Sequence, residues 1–398
     1  MLSNHVVKNI TEPSEASATN SNHENKKAQN NALEWTLIVS PTLTHNPSFE
    51  GVNNVKIRIW NPVQIMSGAL ELIGNTPMVK LKRVASDVDA NVYAKCEFLN
   101  PSGSIKDRMA LRMIQEAERK EELRKEGTIV DATSGNTGPA LSFVGSMKGY
   151  KVKLLIPSKW AGEYNPENRI RIMKCFGAEV EAFSTKGHEK LFDGLSPSEA
   201  SAAMFAVGMK KCYDLERSNP LIWWANQSDN PENAEAHRQT TGREILEQLD
   251  NKVDAWVASI GTAGTILGVA EALLDKIGHV KVVGLEPEDA RVTEWYRFGS
   301  MKKYQAAVGL PASKSLVEVM LEQNLPDEVL TVKDTDARET ANRLCREEGL
   351  FCGMSSGANV YAALRIAKKL GRGTNVVTVL VDRRERYFPE YPREHYVI

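Results

Sequence analysis

The chain has 398 residues, 42% of them hydrophobic and 25% charged, which is typical of a soluble globular protein of about two domains and excludes a fibrous one. Its 50 basic and 51 acidic residues leave a formal net charge of −1, so electrostatics favour neither nucleic acid nor an anionic membrane as a partner. No apolar run could span a bilayer, no secretory signal begins the chain, and five cysteines without close spacing argue against a disulfide or zinc framework. We therefore expect a cytoplasmic protein that binds no metal.

The N-terminal part of the chain differs in composition from the rest. Residues 1–33 are rich in Asn, Ser, Glu and Lys and show little apolar periodicity, so they cannot bury enough surface to offset the entropy of ordering. We predict a disordered tail there. Residues 34–66 contain short strand-like runs and are predicted to form an N-terminal arm on the body of the protein.

From residue 67 onward, strand-like apolar runs alternate with helix patterns. Strands are predicted at 92–96, 128–130, 152–156, 180–183, 221–224, 255–260, 280–285 and 376–381. Helices are predicted at 105–120, 139–148, 166–176, 234–249, 265–274, 334–348 and 358–370. This alternation predicts an α/β fold of mostly parallel, twisted sheets covered by helices, with ligands at the carboxyl ends of the strands. Because the run 230–233 breaks the chain before a long helix, we predict two lobes, 67–228 and 229–398.

The first loop with candidate chemistry is 100–108, which reads Asn-Pro-Ser-Gly-Ser-Ile-Lys-Asp-Arg. Ser104 is a suitable helix N-cap, so Lys106 falls in the first helical turn. The positive end of the helix dipole and partial burial would both lower the pKa of this amine, and a neutral lysine forms Schiff bases with aldehydes. A solvated lysine in an ordinary first turn would show the same residues.

Three more loops carry hydroxyl and glycine residues at the start of a predicted helix. The loop 131–138 (Asp-Ala-Thr-Ser-Gly-Asn-Thr-Gly) offers convergent N–H and O–H donors to an anion. The loop 259–265 (Ser-Ile-Gly-Thr-Ala-Gly-Thr) suits a phosphate, although small residues there also serve tight helix packing. The loop 353–357 (Gly-Met-Ser-Ser-Gly) is also typical of a plain turn with a capping serine. Together the four loops suit a cofactor with an aldehyde, a phosphate and a ring nitrogen, namely pyridoxal 5′-phosphate.

These loops resemble those of the cysteine synthase/cystathionine β-synthase family of pyridoxal-phosphate enzymes, which have the tryptophan-synthase-β-like fold (fold type II). The resemblance runs from about Leu72 to Tyr387 and includes the stretches 71–81 and 237–245. The related threonine and serine dehydratases typically carry different lysine and asparagine loops, so they fit less well. The resemblance implies a homodimer that binds pyridoxal 5′-phosphate.

The resemblance also implies roles for individual residues. Lys106 is implied to bind the cofactor covalently and to remove the substrate α-proton, Asn136 to hydrogen-bond the ring 3′-oxygen, and Ser355 to face the pyridine nitrogen. The residues implied to cradle the phosphate, in the predicted C-terminal lobe, are Gly261, Thr262, Ala263, Gly264 and Thr265. The residues implied to bind the substrate, chiefly its α-carboxylate, are Thr133, Ser134, Gly135, Thr137 and Gln227.

A hydroxyl at position 355 points to the type of reaction. It cannot stabilise a pyridinium as a carboxylate would, so the ring is a weaker electron sink and β-elimination is favoured over transamination. The expected course is elimination from an activated serine to an aminoacrylate, which sulfide or a thiol then attacks. We predict a cysteine synthase that uses O-acetylserine or O-phosphoserine. Cystathionine formation, diaminopropionate-type synthesis and cysteine desulfhydration remain open, as does a non-catalytic sensor that holds the cofactor and binds a partner's Ile-terminated peptide.

Two departures from the family pattern bear on the cofactor and the substrate. Ala263 replaces a glycine of the phosphate loop, and its methyl group is tolerable if the residue has a negative φ. The basic segment 291–303 either is a solvated surface or uses Arg291 or Arg297 to bind an anionic leaving group such as a phosphate.

Two further stretches suggest movement or regulation. The stretch 160–167 differs from the usual family form and is assigned to a mobile subdomain, about 138–222, that closes over the substrate. The terminal run Tyr396-Val397-Ile398 is similar to the Ile-terminated tail by which serine acetyltransferases enter the active site of cysteine synthases. It is either an ordinary chain terminus or a tail that binds its own site or that of a neighbouring subunit.

Overall fold

The computed structural model describes residues 66–158, 166–288 and 290–390. The predicted tail 1–33, nearly all of the predicted arm 34–66, most of the stretch 160–167 and the terminal run 396–398 lie outside the described residues. Within the described ranges, no helix is both long and apolar enough to cross a membrane.

The strands of the described residues form two sheets. They are β1 (Met78–Lys80), β2 (Asn91–Cys96), β3 (Thr128–Ala132), β4 (Lys151–Pro157), β5 (Glu179–Phe183), β6 (Ile222–Trp224), β7 (Ala255–Ser259), β8 (Lys281–Pro287), β9 (Glu328–Val332) and β10 (Asn375–Leu380). The larger sheet has the order β1-β2-β10-β7-β8-β9, and the smaller has the order β5-β4-β3-β6. All neighbouring strands are parallel except β1 and β2.

Helices connect the strands and cover the sheets. They are α1 (Lys106–Arg119), α2 (Thr137–Met147), α3 (Glu167–Cys175), α4 (Pro197–Ser218), α5 (Glu232–Gln239), α6 (Thr241–Gln248), α7 (Gly264–Ile277), α8 (Val292–Arg297), α9 (Ser300–Ala307), α10 (Leu316–Glu322), α11 (Asp334–Glu348) and α12 (Met354–Leu370). Central strands such as β7 and β10 are buried along almost their whole length, as parallel strands covered on both faces are. The predicted α/β fold of mostly parallel sheets is confirmed.

The lobe boundary differs from the prediction in one respect. Strands β1 and β2 were assigned to the lobe 67–228, but β2 pairs with β10, with Val92 opposite Val376. Residues 78–96 therefore belong to the sheet that is otherwise built from the second half of the chain. The apolar pattern of β2 identified a buried strand, and a pattern of this kind carries no information about the pairing partner.

Several helical regions differ from the predictions, and the short helices α8, α9 and α10 were not predicted at all. The region predicted as one helix, 234–249, forms α5 and α6, which are separated at Thr240 by a backbone with φ −122° and ψ −75°. Helix α4 was not predicted, although it has 22 residues and starts at a capping box made by Ser196 and Glu199. Three of its seven buried residues are alanines and one is a glycine, and such small residues give a weaker apolar period than leucine or isoleucine.

A buried ion cluster holds the first turn of α1 against the larger sheet. Arg108 Nε donates to Glu97 Oε2 at 2.7 Å, and its Nη1 donates to Glu244 Oε1 at 2.6 Å. Lys95 Nζ donates to Glu244 Oε2 at 2.6 Å. Since Arg108 follows Lys106 by two residues, this cluster fixes the backbone from which the Lys106 side chain extends.

Candidate active site

The four loops identified in the sequence meet around one cavity of about 260 Å³, called the lysine cavity here. The expected residues that line it are Lys106, Thr133, Gly135, Asn136, Thr137, Gln227, Gly261, Thr262, Ala263, Gly264, Thr265 and Ser355. Apolar residues of the strands β7 and β10 and their ends, such as Ala258 and Val379, complete the wall. The loops converge because they follow strands of parallel sheets or begin helices beside those strands' carboxyl ends.

Lys106 is the first residue of α1, and burial lowers the pKa of its amine to about 8. A lysine with this pKa is about half neutral at pH 8, and the neutral amine is the nucleophile. The helix starts at Lys106 with Ile105 as the N-cap residue, and Ser104 Oγ, one residue earlier, accepts from Lys106 N at 3.3 Å, as a capping serine does. Ile105 N also donates to Val381 O at 2.9 Å, so pairing with the chain after β10 helps to fix the start of α1.

The loop before α7 is supported from behind by α5. Asn233 Nδ2 donates to Thr262 Oγ1 at 3.0 Å and to Gln227 O at 2.7 Å. A Cβ atom on Gly264 would lie 2.1 Å from Asn233 Oδ1, so only glycine fits there. The first N–H groups of the 14-residue helix α7 have no partner within the helix, which makes this turn suitable for an anion.

Thr265 contacts a histidine that has lost its basicity. Thr265 Oγ1 lies 3.2 Å from His237 Nε2, and His237 Nδ1 lies 3.0 Å from Thr241 Oγ1. Burial holds the pKa of His237 well below its ordinary value, so the ring is neutral near pH 7. The histidine therefore orients a hydroxyl of the loop and adds no charge to it.

Ala263 does not meet the condition of a negative φ under which its methyl group would be tolerable without strain. The residue has φ +65° and ψ −10°, which is the left-handed region, and a residue with a Cβ atom there costs about 1–2 kcal/mol. Its methyl group is buried, with 2% of the residue exposed, and it belongs to an apolar cluster that includes Ile266 and Val379. Burial of the methyl group offsets part of the strain, and the residue stays in the cavity wall.

Two charged residues that the sequence analysis did not identify orient Asn136. Its Nδ2 donates to Asp382 Oδ2 at 2.6 Å, and its Oδ1 accepts from Arg386 Nη1 at 2.7 Å. Tyr387 OH also donates to Asp382 Oδ2, at 2.5 Å. The two contacts fix which end of the amide is which and leave the second Nδ2 hydrogen for a ligand. The available signal was the charged run 382–386 directly after the buried strand β10.

Hydrogen bonds within the loop 133–137 and to Gln227 also hold its side chains in place. Gly135 N donates to Thr133 Oγ1 at 3.2 Å, and Thr137 Oγ1 donates to Gln227 Oε1 at 2.5 Å. Because Gln227 Oε1 is an acceptor in this contact, its Nε2 is the donor end of the amide. The Gln227 side chain also hydrogen-bonds the Asp131 carboxyl, which leaves one Nε2 hydrogen for a ligand. The loop therefore presents amide and hydroxyl donors next to the lysine amine.

A second cavity of about 240 Å³, called the apolar cavity here, adjoins the first. Its lining residues are Ala132, Thr133, Ser134, Gly135, Pro157, Phe183, Ser201, Met204, Phe205, Gly208, Gln227 and Trp295. Thr133, Gly135 and Gln227 line both cavities.

The two arginines proposed for an anionic leaving group line neither cavity. Arg291 is exposed and its Nη1 donates to Glu294 Oε1 at 2.9 Å, and Arg297 is also exposed. The segment that contains them reaches the apolar cavity through Trp295 instead. Whether a helical residue reaches the cavity depends on the helix face that it occupies. The sequence of this short helix does not show which of its faces points to the cavity.

The groups in the lysine cavity fit pyridoxal 5′-phosphate. A buried amine of lowered pKa suits its aldehyde, and the N–H groups at the start of α7 with two threonine hydroxyls suit its phosphate. The oriented amide of Asn136 suits an oxygen on the ring, and the Ser355 hydroxyl suits a ring nitrogen. Lys106, Asn136, Ser355 and the loop 261–265 are the residues that would hold the cofactor.

Removing the Asp382 carboxylate should weaken cofactor binding through Asn136. In Asp382→Ala the amide loses a charged hydrogen-bond partner, so we expect the dissociation constant for pyridoxal 5′-phosphate to rise at least about tenfold. The visible absorption maximum of the bound cofactor should also shift, which spectral titration measures. Asp275→Ala, at an exposed carboxylate paired with Arg238, is the control. A spectrum and an affinity equal to the control's would contradict this role.

Comparisons with known proteins agree with this chemistry. A model of the family described as pyridoxal-phosphate dependent enzyme matches residues 69–382. The chain is 38% identical over 321 residues to cysteine synthase B of Campylobacter jejuni, which covers 80% of this chain and 95% of that protein. It is 37% identical over 318 residues to a cysteine synthase of Staphylococcus aureus, with 80% and 94% covered.

A solved structure gives the same relationship in three dimensions. The O-acetylserine-dependent cystathionine β-synthase of Helicobacter pylori matches with a TM-score of 0.67 and 28% sequence identity, and the match covers 82% of this chain and 98% of that one. These relatives cover about 80% of the chain, and the family model spans every residue that lines the lysine cavity. The chain therefore belongs to the family of pyridoxal-phosphate-dependent enzymes, in its cysteine synthase/cystathionine β-synthase group.

Proposed function

We propose that the protein is a β-replacement enzyme that forms L-cysteine from O-acetylserine and sulfide. The observation that carries this proposal is the single cavity in which the Lys106 amine, the oriented Asn136 amide and the turn before α7 meet. Pyridoxal 5′-phosphate, when bound there, withdraws electrons from the substrate, which acidifies the α-proton and allows the β-substituent to leave. Relatives named cysteine synthase support the choice of product.

Lys106 has two tasks in this function. Its amine would bind the cofactor aldehyde, and its Nζ would accept the α-proton of the bound substrate. Both tasks need the neutral amine, which the lowered pKa supplies near pH 8. Thr133, Ser134, Thr137 and Gln227 bind the α-carboxylate, so the α-proton is held within reach of Nζ.

Ser355 directs the outcome after proton removal. A hydroxyl near the ring nitrogen carries no charge, so the negative charge that develops at the substrate Cα is less strongly delocalised than it would be beside a carboxylate. Loss of an adjacent leaving group then competes well with other fates of that charge. This supports β-replacement over transamination.

The character of the apolar cavity favours acetate as the leaving group. Among the described residues, Lys106 is the one basic side chain that lines either cavity. A phosphate ester carries a charge of about −1.5 to −2, and that charge would lose water here without gaining a partner. The acetyl ester is uncharged, and the Helicobacter pylori relative is described as O-acetylserine dependent.

We also propose that the enzyme works in the cytoplasm as a homodimer. All five cysteines are free, which suits a reducing compartment. Leu72 and Met147 are more than half exposed, and large apolar side chains of this kind are often covered by a second subunit. Light scattering of the purified protein should report twice the mass of one chain, and the mass of a single chain would refute the dimer.

The purified holoprotein should convert O-acetylserine and sulfide into L-cysteine and acetate. We expect kcat/KM for O-acetylserine to exceed that for O-phosphoserine at least about tenfold, because the phosphate would be desolvated without a cationic partner. Product formation followed by chromatography measures both values.

Two substitutions test the same point at the segment 291–303. Arg291→Ala and Arg297→Ala should change the ratio of the two kcat/KM values less than about twofold, because exposed arginines contribute little to a site they do not line. A preference for O-phosphoserine that either variant removes would show that a guanidinium binds the leaving group. Absence of cysteine with both esters would overturn the proposed function.

A further inference from the structure

We propose that Asp131 is a positioning residue for the substrate α-carboxylate, because its ionised carboxyl group holds the Gln227 amide in the orientation that donates to that carboxylate. This inference rests on the proposed β-replacement and names a residue on which the substrate site depends. Asp131 is the fourth residue of β3 and lies two residues before the loop 133–137. It lines neither cavity, so it acts on the substrate through another side chain.

The carboxyl group of Asp131 is buried among hydrogen-bond donors. Ala132 N donates to Asp131 Oδ1 at 3.0 Å, and Trp224 Nε1 donates to the same oxygen at 3.2 Å. The Gln227 side chain also hydrogen-bonds the carboxyl, and this contact acts to lower the pKa of Asp131. Because a donor to the ionised form lowers the pKa of a carboxyl group, the end of the amide that faces Asp131 is Nε2.

Gln227 thus lies between two partners that hold opposite ends of its amide. Thr137 Oγ1 donates to Gln227 Oε1, and the Asp131 carboxylate accepts from Gln227 Nε2. This arrangement leaves one Nε2 hydrogen, and Gln227 lines the lysine cavity beside the loop 133–137. We assign that hydrogen to the α-carboxylate of the substrate.

The charge of Asp131 changes near neutral pH. Burial raises the pKa of Asp131 to about 7, and the nearby charge of Asp229, in the turn after β6, acts in the same direction. Cys212 lies near it on α4, and burial holds the pKa of this thiol well above its ordinary value, so the thiol stays neutral. One turn further along α4, Glu216 Oε1 accepts from Trp224 N at 2.9 Å, and burial raises the pKa of that carboxyl too. Asp131 therefore exists in both charge states around pH 7.

A protonated Asp131 favours the opposite orientation of the amide. Its O–H needs an acceptor, whereas Ala132 N and Trp224 Nε1 can only donate. Gln227 supplies that acceptor when its amide turns over and brings Oε1 to the carboxyl group. The Thr137 hydroxyl can then accept from Nε2, since a hydroxyl both donates and accepts. The amide end beside Asp131 now carries a carbonyl oxygen, whose lone pairs repel the substrate carboxylate.

Direct repulsion between the two carboxylates would have the opposite effect on binding. If the amide did not turn over, loss of the charge on Asp131 would strengthen the binding of an anion in the cavity. Three N–H donors already satisfy that charge, however, whereas reversal of the amide replaces a hydrogen bond to a charged acceptor, which is a strong one, by a repulsive contact. We therefore expect the orientation of the amide to decide the direction of the pH dependence.

Two ligands that differ only in the carboxylate test this inference in the holoprotein. S-Methyl-L-cysteine and 2-(methylthio)ethylamine share the amine and the thioether, and the visible absorbance of the bound cofactor reports the binding of each. The ratio of their association constants cancels the titration of groups that act on both ligands, such as Lys106. As the pH falls from about 8.5 to about 5.5, this ratio should fall at least about tenfold, with its midpoint near the pKa of about 7. A constant ratio, or one that rises as the pH falls, would overturn the inference.

An isosteric substitution imitates the protonated carboxyl group at every pH. In Asp131→Asn, Oδ1 can keep the contacts with Ala132 N and Trp224 Nε1, while Nδ2 donates to Gln227 Oε1. At about pH 8.5 the variant should bind S-methyl-L-cysteine at least about tenfold more weakly than the wild type and 2-(methylthio)ethylamine equally well, because only the first ligand presents a carboxylate. The ratio of the two association constants should also become independent of pH.

Asp275→Asn is the matched control, since it makes the same change at an exposed carboxylate that is paired with Arg238. It should keep the ratio and the pH dependence of the wild type. An equal loss of affinity for both ligands in Asp131→Asn would assign a merely structural role to Asp131 and contradict the inference, as would tighter binding of S-methyl-L-cysteine.

The outcome can be separated from that of the proposed function. If the wild type forms cysteine from O-acetylserine and sulfide while its ratio of association constants is independent of pH, the function stands and the role of Asp131 is refuted. If Asp131→Asn does not fold, the pH dependence of the ratio in the wild type still decides, because that measurement needs no variant.

Discussion

The site depends on the removal of water from one amine. Burial lowers the pKa of Lys106 to about 8, whereas an exposed lysine has a pKa of about 10.4 and stays protonated near neutral pH. The position of the amine in the cavity wall is set because its backbone is held on both sides. Ile105 pairs with Val381, and Arg108 is bound by two carboxylates from different elements. Packing that lies outside the cavity therefore creates the reactivity inside it.

Much of the fold could be predicted because buried strands and the helices that cover them have distinct periods. The apolar runs of β4, β7, β8 and β10 are nearly continuous, and the sequence prediction places each within two residues of its observed bounds. The predictions that failed concern features that apolar periodicity does not report. Helix α4 buries several small residues, such as Ala202 and Gly208, which mark a buried helix face only weakly, and the pairing of β2 with β10 joins residues more than 280 positions apart.

The cofactor residues could be identified because each lies in a short loop whose residue types serve one chemical need. The backbone conformation and the contacts of these residues could not be predicted from the sequence. The positive φ of Ala263 follows from the path of the whole loop, and the Asp382 carboxylate meets Asn136 across 246 positions of sequence. The same limit applies to the segment 291–303, in which arginines suggested an anion site and Trp295 is the residue that reaches the cavity. The residue type suggests which chemistry a side chain can perform, but the packing of the fold decides where that side chain points.

The central claim is that the Lys106 amine is the group that binds the cofactor aldehyde. The most direct test is reduction of the holoprotein with borohydride, followed by peptide mapping by mass spectrometry. We predict that the mass of the reduced cofactor is found on the peptide that contains Lys106, that Lys120→Ala is labelled in the same way, and that Lys106→Ala carries no label. A label on a different lysine, or an unlabelled wild-type protein after incubation with pyridoxal 5′-phosphate, would contradict the account.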